Sequence, residues 1–134
     1  MNLLAGDIGG TKTILAIYSS EKYPKKLFSK YYISSEWESF ESIFIDFIKQ
    51  LPKHISHPDY CCIGLAGPVK DEKVKITNLG WNIDKTKLNL LSKIQNIELI
   101  NDFSVLIYGI PFFKKDQYEV IQGKINSGAK NKQE

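Results

Sequence analysis

The chain has 134 residues, 43% of them hydrophobic and 12% aromatic, with 18 basic against 15 acidic side chains and a formal net charge of +3. That apolar content excludes disorder as the main state, and the length suits one globular domain burying roughly two thirds of its unfolded surface. Every basic residue is lysine, so the planar fork that reads guanine edges is lacking and nucleic acid is not an expected partner.

No apolar run approaches the ~18 residues of a membrane span. Met1 leads almost at once into strand-like residues rather than a charged and then apolar leader. A soluble, cytoplasmic protein with no membrane partner is therefore expected. Cys61 and Cys62 are adjacent and cannot brace a fold, which agrees with a reducing setting.

Asn2 to Ile8 reads as a mostly apolar strand. Gly9-Gly10 is a hairpin signal, since both residues tolerate positive φ. Thr11 to Tyr18 resumes a strand, Ser19 to Lys26 is a turn region with Pro24, and Leu27 to Ile33 is a third strand. Three strands with short connections predict an antiparallel meander. Ser35 and Glu38 have the spacing of a capping box. Trp37, Phe40, Phe44, Phe47, Ile48 and Leu51 then recur at helical spacing until Pro52. His54 and His57 belong to the connector and read as ordinary loop histidines.

Tyr60 to Ala66 is a buried strand ending at Gly67-Pro68, and Val69 to Ile76 a charged hairpin around Asp71-Glu72. Thr77 to Trp81 reads as irregular. Asp84 is placed to cap a lysine-rich helix carrying Leu88, Leu91 and Ile94. Ile97 to Ile100 is a short strand broken by Asn101-Asp102, and Phe103 to Ile110 a helix closed by Pro111. Later strands separated by helices should be parallel, with right-handed crossovers. The fold class expected is α/β, a mixed sheet in which an antiparallel meander is extended by parallel strands, with helices on its faces. From Gln122 onward the chain has little to bury and reads as a tail.

Two segments could carry chemistry. Gly6-Asp7-Ile8-Gly9-Gly10-Thr11-Lys12-Thr13 is neither a Walker loop nor a dinucleotide fingerprint, and a strand follows it rather than a helix. Its tight turn could still aim backbone N–H groups at a phosphate, with the Thr11 hydroxyl as a further donor. Asp7 would then hold Mg²⁺ through water, because Mg²⁺ keeps much of its hydration. A plain hairpin with Asp7 exposed fits the same residues. The second segment ends an apolar strand in Asn101-Asp102, where ligands collect in α/β sheets. There Asp102 could accept a proton from an attacking hydroxyl held by Asn101. It is equally a helix N-cap, and the residues alone favour the cap.

Leu4 to Thr13, Gly64-Leu65-Ala66-Gly67-Pro68-Val69, Thr77-Asn78 with Trp81, Leu99 to Phe103 and Tyr108 to Pro111 together resemble the amino-terminal lobe of the bacterial glucokinase family. That family lies within the sugar kinase, Hsp70 and actin superfamily. The resemblance implies a ribonuclease H-like (actin-like ATPase) lobe and ATP-dependent phosphorylation of glucose, or a related hexose, at the 6-hydroxyl. It implies that Gly6, Asp7, Ile8, Gly9, Gly10, Thr11 and Lys12 face ATP, with Asp7 near Mg²⁺. Asn101, Asp102 and Asn78 would line the sugar site, and Asp102 would be the catalytic base. The polar clusters around Asp7 and Asp102 are expected to converge on one crevice.

The family's second, glycine-rich phosphate loop and the rest of its sugar site would follow Glu134. Residues 1–111 are therefore expected to be one lobe and 112–134 a connector, the chain alone being an incomplete and inactive half. Self-association through the exposed inter-lobe surface is a further expectation. A sugar sensor of the related ROK group is the alternative. Such regulators place a DNA-binding helix-turn-helix ahead of the lobe, whereas here a strand begins at Leu3. They also have alanine where Phe103 follows Asn101-Asp102, so both features favour the kinase. A stand-alone interaction module is the third reading.

Overall fold

The computed structural model describes residues 2–65 and 70–100. Its organising element is β1 (Asn2–Ile8), flanked on one side by β2 (Lys12–Ser19) and on the other by β4 (Tyr60–Leu65). With β3 (Lys26–Ile33) and β7 (Asn96–Ile100) the sheet order is β3-β2-β1-β4-β7. The β1–β2 and β2–β3 pairs are antiparallel, whereas β1–β4 and β4–β7 are parallel. This is the expected meander extended by parallel strands. Ala66 to Val69, the helix expected over Phe103–Ile110 and the connector expected over 112–134 lie outside the described residues.

Alternation along β1 divides its side chains between two faces. Leu4 and Ile8 join Leu15, Ile17 and Ile63 in a core closed by α1 (Phe40–Lys49) through Phe40, Ile43, Phe44 and Phe47. Leu3, Ala5, Ala16, Tyr18 and Cys62 take the other face and are buried as well. Burial on both faces explains why the central strands read as nearly continuous apolar runs. Each fully buried phenylalanine contributes about 1.5–3 kcal/mol by transfer alone. Phe44→Ala, at a fully buried position, would cost about 3–5 kcal/mol and disrupt this layer.

The capping box sits elsewhere than the sequence suggests. Ser34–Glu36 forms a short 3-10 turn, and α1 starts only at Phe40, with Ser39 as N-cap. The Ser42 N–H donates to Ser39 Oγ at 3.2 Å and the Ser39 N–H donates to Ser42 Oγ at 3.3 Å. A serine thus does at the third helical position what Glu38 was expected to do. Trp37 is drawn out of the helix instead, edge-on to Tyr32 with ring centroids 5.2 Å apart.

A second correction concerns residues 73–84. Lys70 bridges Lys73 around Asp71 and Glu72, both at left-handed φ (53° and 62°), as a tight hairpin turn requires. The longer pairing runs the other way, however: β5 (Lys73–Ile76) is antiparallel to β6 (Trp81–Asp84), a strand that the sequence did not suggest. A 3-10 turn at Thr77–Leu79 and the left-handed Gly80 (φ 67°) make the reversal. Trp81 and Ile83 point into the core, with Trp81 6.3 Å from the Phe40 ring. Asp84 caps α2 (Lys85–Ser92) as expected, accepting from the Thr86 N–H at 2.9 Å. Of the apolar residues expected to bury that helix, Leu88 is buried and Leu91 is exposed.

Candidate functional site

The three parallel strands finish level with one another. Asp7 on β1 pairs with Gly64 on β4, and Gly64 pairs with Ile100 on β7. The row Asp7–Gly64–Ile100 therefore crosses the carboxyl edge of the sheet, spanning two strand spacings or about 10 Å. Asn101 and Asp102, the expected sugar-site residues, lie outside the described residues. The strand that leads to them ends beside the row containing Asp7.

Asp7 occupies the face opposite α1, and its carboxylate accepts no hydrogen bond from any described residue. Burial pushes its pKa above the ordinary carboxylate value, and the nearby Lys12 ammonium partly opposes the rise. A half-buried carboxylate of this kind favours a cation. No group of three or more potential metal-ligating side chains occurs among the described residues. One carboxylate with water and phosphate oxygens is nevertheless an ordinary donor set for Mg²⁺, so the residues fit that ion.

The turn after β1 runs over Gly9, Gly10 and Thr11. Gly9 N–H donates to Lys12 O at 2.8 Å and closes it. Neither Gly9 nor Gly10 is in the left-handed region, contrary to the expectation from the Gly-Gly pair. Crowding explains the glycine at the first position: a Cβ on Gly9 would stand 3.1 Å from Lys12 O. Gly10 and Thr11 are exposed, and their N–H groups have no backbone partner among the described residues. Two open backbone donors at an exposed tip suit an anion.

The turn is braced from behind by two fully buried residues: Ser34, which the sequence reading missed, and Thr13, which it placed in the glycine segment without a role. Ser34 Oγ donates to Gly9 O at 3.0 Å, lies 3.0 Å from Thr13 Oγ1, and the Ser34 N–H donates to Thr11 O at 3.0 Å. A serine after a strand and a threonine inside one carry no spacing signal for this bracing, so only the tertiary contacts reveal it.

The other predicted residues separate into two groups. Gly6 and Ile8 lie within β1, directed into the helix-covered core, where a Cβ on Gly6 would meet Leu15 Cδ2 at 2.8 Å. Asn78 is instead brought to the turn: it is exposed in the bend between β5 and β6, its side-chain amide facing Gly10. Cys61 and Cys62 are unpaired, buried thiols away from these groups. Burial raises both pKa values, that of Cys62 to about 12, so neither is a ready nucleophile. His57 Nε2 lies 2.8 Å from Ser92 O, tying the connector to α2 as an ordinary structural histidine.

Comparison with known proteins bears on the fold and the family. The sequence model of the Glucokinase family matches residues 4–133. A glucokinase of Trichormus variabilis is 37% identical over 127 residues, covering 91% of this chain and 36% of the relative. One of Synechocystis sp. is 33% identical over 131 residues, with 91% and 37% covered. Among solved structures, a glucokinase from an Antarctic psychrotroph superposes with a TM-score of 0.69 at 27% identity, covering 87% of this chain and 37% of that one. A Balamuthia mandrillaris glucokinase in complex with glucose gives 0.63 at 20% identity, over 83% and 32%, a likeness of fold alone. The fold is thus the actin-like ATPase fold of these sugar kinases. The chain spans about a third of the length of the relatives it matches.

Proposed function

Because the chain belongs to the glucokinase family, we propose that it supplies the phosphate-turn side of an ATP-dependent kinase that phosphorylates glucose or a related hexose at the 6-hydroxyl. The observation that carries this reading is the exposed Gly10–Thr11 tip, with N–H groups that have no backbone partner among the described residues, at the same sheet edge as the half-buried Asp7 carboxylate.

In this reading the Gly10 and Thr11 N–H groups and the Thr11 hydroxyl donate to ATP phosphate oxygens, and Lys12 adds a positive charge beside them. Asp7 holds Mg²⁺ through water, and the ion when bound supplies charge neutralisation at the phosphates. Asn101 orients the sugar hydroxyl. Asp102 accepts its proton as the oxygen attacks the γ-phosphorus and the bond to ADP breaks, so the base ends protonated and ADP leaves. Asn78 serves the sugar side of the crevice. Residues 1–111 form the lobe and 112–134 lead on from it. Unpaired Cys61 and Cys62 agree with a cytoplasmic setting.

Phosphoryl transfer depends on positioning and charge, and one side of a cleft positions little. The 134 residues alone are therefore expected to bind MgATP weakly and to turn over far below ~1–100 s⁻¹, the range of ordinary kinases. The test is an amide-resolved NMR titration with MgATP, beside a coupled assay for glucose 6-phosphate. Shifts centred on Gly10 and Thr11 are expected. A response confined to other elements, or none, would overturn the reading.

A further inference from the structure

Ser34 has no contact with solvent; its carbonyl accepts from the Trp37 N–H at 3.1 Å, while its hydroxyl and its own N–H both reach the β1–β2 hairpin. A hydroxyl has one proton, and that of Ser34 goes to Gly9 O at 3.0 Å. Thr13 must then be the donor in its 3.0 Å contact with Ser34 Oγ. The order Thr13 to Ser34 to Gly9 is thereby fixed, and each bond polarises the next.

This chain of hydroxyls has a geometric consequence. The Gly9 carbonyl and the Gly10 N–H belong to one planar, trans peptide unit and point in opposite directions. Holding the carbonyl inward on Ser34 therefore turns the Gly10 N–H outward. Glycine on both sides makes a flip of that peptide plane cheap, because no Cβ resists it. The turn needs an external pin, and Ser34 stands where one is required. Its own N–H holds the Thr11 carbonyl in the same way.

We infer that Ser34, backed by Thr13, is a positioning residue that sets the phosphate-facing orientation of the Gly10 N–H. It touches no ligand itself. The inference deepens the kinase reading and rests on it.

The test uses the 134-residue chain and MgATP, followed by amide shifts and hydrogen exchange. Ser34→Ala should weaken MgATP binding about three- to tenfold and remove most of the Gly10 amide response. Exchange in α2 should stay as in the wild type. Ser34→Thr, which keeps the hydroxyl, should restore the Gly10 response, a rescue that a purely structural role would not give. Thr13→Val, of similar volume, should weaken binding in the same direction but less, and it decides the matter if Ser34→Ala fails to fold. Full MgATP affinity and an unchanged Gly10 response in folded Ser34→Ala or Thr13→Val would overturn the inference and leave the kinase reading standing. A wild-type chain whose Gly10 and Thr11 amides ignore MgATP would overturn both.

Discussion

Asn78 Nδ2 stands 3.5 Å from the point that a β-carbon on Gly10 would occupy. The bend of one hairpin is thereby set against the tip of another, although 68 positions separate the two residues. The proposed sugar-side residue and the proposed phosphate turn are therefore neighbours, as an enzyme joining a hydroxyl to a phosphate requires.

That contact predicts different outcomes at two adjacent glycines. Gly9→Ala would press a methyl to 3.1 Å from the Lys12 carbonyl, a backbone atom with little room to yield. It should cost about 1–3 kcal/mol in stability. Gly10→Ala meets only the end of an exposed side chain at ordinary contact distance and should melt within about 0.5 kcal/mol of the wild type. Its methyl nevertheless enters the gap beside Asn78, so MgATP binding should fall several-fold. Thermal melts with MgATP titrations on both variants check this, and equal stability losses would contradict the packing argument.

Asp7 pits stability against function. Its folded-state pKa is raised, chiefly by burial with the Lys12 charge partly opposing, so folding disfavours the charged carboxylate relative to the unfolded chain. The sign follows from linkage: this contribution is fully present below the unfolded pKa, about 3.9, and is lost as pH rises through the higher folded value. Asp7→Asn should therefore stabilise the metal-free chain at neutral pH, with the gain vanishing below about pH 4. Mg²⁺ with ATP should raise the melting temperature of the wild type and leave that of the variant nearly unmoved. A variant less stable than the wild type at pH 7 would refute the prediction.

The β3–α1 seam responds to pH in the opposite sense. Tyr32 Oη donates to Asp46 Oδ2 at 2.7 Å, with Lys30 Nζ 3.4 Å from the same oxygen. Desolvation tends to raise the Asp46 pKa, but hydrogen bonds from Tyr32, Gln50 and Lys30 and the Lys30 charge outweigh it and hold the group below its usual range. That stability is present above the unfolded pKa and lost as pH falls through the folded one. Tyr32→Phe should cost about 1.5–3 kcal/mol at pH 7 and progressively less below about pH 4. Denaturant midpoints of the two proteins across pH 2–7, at about half-unit steps, give the comparison. A constant difference would remove the Asp46 carboxylate from the account.

In a full-length protein of this family carrying these residues, Asp102→Asn should lower kcat for glucose phosphorylation about 10²–10⁴-fold while sparing the fold. The coupled glucose 6-phosphate assay reads it. Near-normal kcat would return Asp102 to the role of helix cap.

The sheet was largely legible in the sequence because its central strands are buried on both faces and show as apolar runs between turn residues. Asp84 as a cap, Leu88 as a core residue and Asp7 at a strand end were readable for the same local reason. The start of α1 was not, since Ser35 and Ser39 offer equivalent hydroxyls and only the docking of Trp37 on Tyr32 selects between them. β6 was missed because four residues interrupted by polar Asn82 and Asp84 gain strand character only from pairing with β5.

By itself, then, the order of residues determined the strand meander, its parallel extension and the glycine turn beside Asp7, because these follow from periodicity and turn chemistry within a few residues. Tertiary structure alone decided which hydroxyls grip that turn, which way its peptide faces and that Asn78 comes to meet it. Such choices depend on hydrogen bonds and contacts between residues about 20 to 70 positions apart, which no local pattern encodes.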